Sequence, residues 1–389
     1  MATMPLQATE TGEADRGAQA DHAFAMLRGS DRIDVRDWHR LAEASCEPNS
    51  FFEHWYLRPS IGQCAHGSAV HLAIGREARN DARRLNGLLP ICRRSIYYGY
   101  PVPHLATWMH PNIFCGSPLT LAGQTQRFWR ALLDWADRNA QAALFLHLPQ
   151  LPSDGPSYAA LQRVLREEGR VAGIVRVEER AMLRSGHSPG DYVAAAMSGK
   201  KRKELRRQRK RLSELGNLRF IRQSDSGALG GWITQFLQLE QAGWKGAAGS
   251  ALMSSSDTAD LFRHALSGAA EYGRLERLSL ELDGRPVAML ANFIAAPGVF
   301  SYKTAFDEEF ARFSPGMLLQ MENMDLLKRQ DMQWADSCAA ANHPMIERIW
   351  REKRRMVDVN VGIGGKLRRS LFRGMLRMES GCAITGLEP

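Results

Sequence analysis

Cysteine is scarce and scattered along the chain. The six thiols (Cys46, Cys64, Cys92, Cys115, Cys338 and Cys382) show none of the CxxC spacing of a zinc knuckle or redox pair, so they read as reduced and mostly structural. Histidine offers no substitute. None of the eleven histidines forms an HxxxH or HExxH pair, and no metal is expected. Long apolar runs are missing too: nothing reaches the roughly 18 to 20 residues that a spanning helix needs, so the chain is not expected to cross a membrane. The first thirty residues lack the basic start and apolar stretch of a secretion signal and read as a disordered tail over 1–30 of a cytoplasmic protein.

What is present suits a packed α/β protein. Hydrophobic residues make up 44% and charged residues 24%, close to ordinary globular usage. At 389 residues the chain exceeds one core and suits two domains of roughly 150 to 200 residues. The formal net charge of +9 is concentrated: nine of the twelve residues from Lys200 to Arg211 are Lys or Arg, against one Glu. Basicity therefore belongs to one segment rather than to the whole body.

Periodicity predicts helices over 34–44 and 50–62, the second presenting Phe51, Phe52, Trp55 and Tyr56 to a core, then a hairpin from strands 70–74 and 85–92. Pro101, Pro103, Pro111 and Pro118 mark a long connection. Helices over 124–139 and 157–168 alternate with strands over 143–148 and 173–177. The turn-rich stretch 185–191 divides a first domain, 31–187, from a second, 188–380. In the second, helices over 191–197 and 200–215 end at Gly216, read as a C-terminal cap. A strand at 218–222, helices over 229–242 and 257–272, and a meander of strands 275–282, 286–295 and 299–306 follow. A helix over 317–329, a strand at 332–336, a helix near 344–351, a strand at 356–361 and a basic helix over 366–378 complete the order.

Five stretches carry a family resemblance: GKKRKELRRQRKRLSELG at 199–216, LEQAGWKG at 239–246, DGRPVAMLANF at 283–293, YKTAFDEEFARFSPGMLLQ at 302–320 and HPMIERIWREKR at 343–354. In this order of elements they resemble the GNAT N-acyltransferases, and within them the CelD-like acetyltransferases related to the FemABX transferases. Weaker similarity, in FFEHWYL at 51–57 and CGSPL at 115–119, matches the degenerate first domain of the same family. The resemblance implies an α/β (α+β) fold of two tandem acyl-CoA N-acyltransferase-like domains with mixed central sheets. It further implies transfer of an acyl group, typically acetyl from acetyl-CoA, to an amine or hydroxyl of a small-molecule or saccharide-type acceptor, as in polysaccharide biosynthesis.

By the same resemblance, the CoA pyrophosphate rests on backbone N–H groups where a strand turns into a helix, here Arg312, Phe313, Ser314, Gly316 and Met317. Gly316 lets the backbone approach, and Arg312 adds charge. The family pattern of Arg or Gln, two residues, Gly, one residue, then Gly or Ala is met only by Arg312 and Gly316, at altered spacing. Thr304 lies in the strand that is expected to splay from its neighbour after Asp336. Transfer to an amine needs a proton acceptor: His343 has a pKa suited to proton transfer, and Asp336 and Glu240 are carboxylates that could orient or deprotonate the amine. Trp244 and Lys245 border the acceptor cleft. Most have an ordinary structural reading beside this one: a Pro-Gly helix start, an ordinary β-former at Thr304, a strand-end cap at Asp336, a helix cap at His343, a core-edge tryptophan. Cys338 reads as a packed thiol. The 200–211 helix reads as a solvated scaffold face; nucleic acid is not its expected partner, and an anionic membrane surface could meet it peripherally. Two rival readings stand: a FemABX-like aminoacyl transferase using charged tRNA, and a catalytically inert GNAT-like binding module.

Overall fold

The computed structural model describes residues 22–30, 32–79 and 82–380. In chain order the first half holds β1 (His22–Arg28), α1 (Val35–Glu43), α2 (His54–Cys64), β2 (His71–Arg79), β3 (Ala82–Arg94), β4 (His104–Thr107), β5 (Leu119–Thr120), α3 (Thr125–Arg138), β6 (Phe145–Pro152), α4 (Pro156–Glu167) and β7 (Ala172–Leu183). The second half holds α5 (Pro189–Ala196), α6 (Gly199–Ser213), β8 (Leu218–Gln223), α7 (Leu229–Ala242), α8 (Trp244–Ala247), α9 (Ser256–Glu271), β9 (Leu275–Leu282), β10 (Arg285–Ala295), β11 (Gly298–Phe306), α10 (Pro315–Asn323), β12 (Trp334–Asp336), β13 (Glu352–Gly362) and α11 (Lys366–Ser380). Local chemistry explains many of the boundaries. Asp34, Ser188, Ser198 and Ser255 accept backbone N–H bonds at the starts of α1, α5, α6 and α9, and proline occupies the first turn of α4, α5 and α10, where its missing N–H costs nothing.

All the described strands join one mixed sheet, in the order β1-β2-β3-β4-β6-β13-β7-β12-β11-β10-β9-β8, with β5 attached to β3. The two halves repeat a pattern. Each runs an antiparallel meander into a parallel pair, β4 with β6 and β11 with β12. They also exchange a strand: β13 of the second half pairs with β6 of the first, while β7 of the first half pairs with β12 of the second. β7 and β13 lie side by side along most of their length. As the centre of the sheet, β13 is nearly continuously buried from Met356 onward, the pattern of a strand covered on both faces.

The largest core is shared by the halves. Phe51 packs 5.1 Å from Phe300 and Trp55 packs 5.0 Å from Phe293, and the Tyr56 and Tyr302 hydroxyls meet at 3.1 Å. A second core, between α5, α6, α10 and the other face of the second-half strands, includes Leu205, Leu212, Phe313, Met317 and Trp350. Among the described helices none is long and apolar enough to cross a membrane.

Several expectations need correction. The tail does not run to residue 30, because residues 22–28 form β1, paired along β2 with Phe24 and Met26 against the core; residues 1–21 lie outside the described residues. No α-helix forms near 344–351. Ile346, Ile349 and Trp350 are buried at helical spacing, but the segment makes only a 3-10 turn at Ile346–Arg348 before entering β13. Gly216 does not cap α6, whose C-cap is Glu214; Gly216 instead lies against the Asp283 carboxylate, where any side chain would collide.

Candidate active site

Two irregularities in β11 open the sheet. Its parallel pairing with β12 covers only Gly298 to Phe300 against Trp334 to Asp336, so β11 beyond Phe300 and the segment after Asp336 separate, as the family resemblance implies. A β-bulge then interrupts the pairing of β11 with β10: Ser301 faces Asn292 and Lys303 faces Ala291, leaving Tyr302 as the extra residue. A bulge shifts which side chains share a face. Here it turns Lys303 to the same side as Tyr302, toward the first half of the chain.

Lys303 donates to Asn112 Oδ1 at 2.7 Å and lies 5.5 Å from the rings of Phe114 and Tyr302. Burial lowers its pKa to about 8, helped by the nearby Lys245 and opposed by Glu240, so its amine is far more readily neutral than an exposed lysine. His110 is stacked parallel to Tyr56, and its Nε2 is buried without a hydrogen-bond partner. Desolvation, with Lys303 contributing, lowers its pKa to about 4.

Across the cleft, Glu240 is 4% exposed. It accepts from Lys245 Nζ at 2.7 Å and from the Leu252 N–H at 2.8 Å. Both carboxylate oxygens are therefore engaged. The same Nζ approaches the Thr304 carbonyl at 3.5 Å. His343 is half-buried, its pKa lowered by desolvation and then by Lys245; the Met345 N–H faces its Nδ1 at 3.4 Å. It caps no α-helix. Trp244, 57% exposed, donates its backbone N–H to Glu308 and stands at the surface rather than over a core.

The fold thus gathers Glu240, the Thr304 carbonyl and His343 around Lys245. Asp336 is different: it is fully buried, 2.6 Å from Arg180 Nη2 and 3.0 Å from Arg354 Nη1, with its other oxygen on the Cys338 N–H. Although burial raises its pKa, the two guanidiniums win and hold the carboxyl below its ordinary value. Such an acid is a poor proton acceptor, so the expectation that it deprotonates an acceptor is corrected: Asp336 anchors β12 to the exchanged strands β7 and β13. Cys338, next along the splayed segment, is buried with its pKa raised well above an ordinary thiol, first by desolvation and then by Asp336, an inert environment for a nucleophile. Its backbone, like that of Asn342, is left-handed, a conformation that costs energy for residues other than glycine.

At the far end of β11, residues Glu308–Phe313 form a 3-10 turn, Ser314 adopts a left-handed conformation (φ 52°), and α10 begins at Pro315 without a side-chain cap. The backbone donors of the first turn therefore depend on something other than a capping side chain. Gly316 is buried, and a Cβ on it would come within 3.2 Å of Met345 Sδ and 3.3 Å of the Phe306 ring. Phe313 and Met317 put their side chains into the second core, so only their backbone can face a ligand. Arg312 is exposed, stacked 4.7 Å over Phe313. Its carbonyl accepts from Gln208 at 3.2 Å, which fixes the basic helix α6 beside this turn.

Sequence reasoning missed Lys303, Asn112, His110 and the Tyr56–Tyr302 pair. A lysine within the apolar strand GVFSYKTAF was the available signal; the first-half residues, some 190 positions away from it, gave none.

A family model described as an acetyltransferase (GNAT) domain matches residues 199–359. Among solved structures, FemX is similar over 90% of this chain and 99% of its own, at 11% identity and TM-score 0.58. A DUF2156 domain from Agrobacterium fabrum is similar over 92% of this chain and all of its own, at 12% identity and TM-score 0.53. A conserved protein of unknown function from Bacteroides thetaiotaomicron is similar over 86% and 99%, at 12% identity and TM-score 0.51. No curated protein matches the chain.

Proposed function

We propose, from the match of residues 199–359 to a family model described as an acetyltransferase (GNAT) domain, that the chain transfers an acyl group from acyl-CoA to an amine or hydroxyl of a small-molecule or saccharide-type acceptor in the cleft between its halves. The observation that carries this reading is the opening between β11 and the segment after Asp336, which runs from Lys303 to the uncapped start of α10. Residues 31–187 and 188–380 are read as tandem units, the second holding the donor and the first supplying Asn112 and His110 to the acceptor side.

The residues fit such a donor. At Gly316 a side chain would crowd Met345 and Phe306, and glycine keeps the helix start open to phosphate oxygens. Ser314 and Arg312 flank that start, and α6 runs alongside with its excess of positive charge. Bound acyl-CoA supplies an activated thioester. Lys303, lowered toward neutrality, accepts the proton from the acceptor nucleophile, while Glu240 fixes Lys245 so that its ammonium faces the Thr304 carbonyl. His343 is the second proton carrier on the same opening, and Trp244 offers an exposed aromatic face to the acceptor.

Calorimetric titration with acetyl-CoA, longer acyl-CoAs and free CoA tests the donor. Micromolar binding, abolished in a still-folded Gly316→Glu protein, is the expected result. A wild-type protein that binds none of them, yet binds charged tRNA in a salt-dependent manner, overturns it in favour of aminoacyl transfer.

A further inference from the structure

The C-terminal helix α11 carries two exposed stripes. Its buried face, Phe372 and Leu376, packs into a small core with Tyr97, Phe145 and Val171. On the opposite side Leu367, Leu371 and Met378 are 86%, 67% and 83% exposed, and their spacing of four and eleven residues aligns them with Gly374 along one line of the helix. Beside that line, about a quarter turn away, run Lys366, Arg373 and Arg377, all exposed. Five of the fifteen residues of α11 are basic and one is acidic.

A second element extends the surface. Tyr97 and Tyr100 exchange backbone hydrogen bonds across a two-residue turn, Tyr98-Gly99, in which both residues have positive φ (46° and 88°). Such turns favour Asn or Gly, yet here an aromatic side chain occupies the strained first position. Ile96, Tyr98 and Tyr100 at this turn are 56%, 60% and 70% exposed. The Tyr97 hydroxyl bonds Glu379 at 2.6 Å and its ring packs with Phe372 and Leu376, so the turn adjoins the last turn of α11 on the side of its buried face. Six of the ten large hydrophobic residues exposed among the described residues lie on these two elements, which sets this surface apart from singly scattered apolar residues.

We infer that α11 and the 96–100 turn form a docking surface for an anionic phospholipid membrane, with Leu367, Leu371, Met378 and the turn tyrosines entering the interface and Lys366, Arg373 and Arg377 meeting lipid phosphates. Surface binding of this kind requires an apolar stripe and a basic flank together. The basic helix α6 lacks the first: its apolar residues Leu205 and Leu212 are buried. Charge argues against a second copy of the chain as occupant, since two-fold pairing of these faces would bring like charges together.

Co-sedimentation of the full chain with vesicles tests this. Binding is expected to phosphatidylcholine vesicles containing phosphatidylglycerol, not to phosphatidylcholine alone, and to weaken with salt. Leu367→Glu/Leu371→Glu and Arg373→Glu/Arg377→Glu should each weaken it by about tenfold or more, with circular dichroism confirming the fold, while Arg207→Glu/Arg211→Glu on α6 leaves it unchanged. No binding to either vesicle, or binding lost only through the α6 variant, overturns the inference. So does a dimer in sedimentation equilibrium that dissociates on Leu371→Glu without any vesicle binding.

Discussion

Lys303 carries the sharpest consequence at the scale of single residues. Its folded pKa of about 8 lies below the ordinary 10.5, so between these values the unfolded chain holds a proton that the folded chain has released. Stability from this group therefore rises as pH climbs through that window, and the cost of the desolvated ammonium is fully present below it. Lys303→Met should raise the melting temperature at pH 7, and the gain should shrink toward pH 10; a gain independent of pH contradicts the assignment. The same substitution should remove an ascending limb near pH 8 from kcat/KM and depress turnover by about two to four orders of magnitude. Asp336 has the opposite sign. Its folded pKa is depressed, so its stabilisation is present above the unfolded value and lost as pH falls through the folded one. Asp336→Asn leaves Arg180 buried without its anion and Arg354 with only Glu47, 3.7 Å away, and should cost about 3–5 kcal/mol in chemical denaturation. Unchanged stability with lost activity would restore Asp336 as a proton acceptor.

Among the elements, the start of α10 and the bulge in β11 decide the chemistry. Gly316→Ala asks the Met345 side chain and the Phe306 ring each to give by a few tenths of an ångström, so the fold should survive with CoA affinity reduced only severalfold. Loss of binding equal to that of Gly316→Glu would mean that sterics alone, rather than phosphate charge, governs the site. The SPG turn and the helix after it were legible in the sequence because proline and glycine carry local conformational information. The bulge was not. An extra residue in a strand leaves the alternating pattern ambiguous, and only the pairing with Ala291 and Asn292 reveals that Lys303 and Tyr302 share a face. The failed helix over 344–351 makes a related point: apolar spacing records which side chains are buried, not whether the intervening backbone has room to complete a turn.

For the whole molecule, the exchange of β7 and β13 means that neither half completes its sheet from its own residues. Residues 1–187 and 188–389 expressed separately would each expose unpaired strand edges and should be insoluble or unfolded, whereas co-expression should yield a soluble complex; a folded, monomeric half by circular dichroism and light scattering would contradict this. The shared aromatic core of Phe51, Trp55, Phe293 and Tyr302 works in the same direction. The sequence by itself determined most helices and strands and the α/β class, because periodicity, caps and turn residues act over a few neighbouring positions; the acyltransferase reading of the second half came from the resemblance of its motifs to the GNAT family. Only the tertiary structure decided which strands pair across the halves, that Asp336 is bound between two arginines, and that Lys303 meets Asn112. Contacts between residues so distant in sequence depend on the packing of the whole sheet, and no local pattern encodes them.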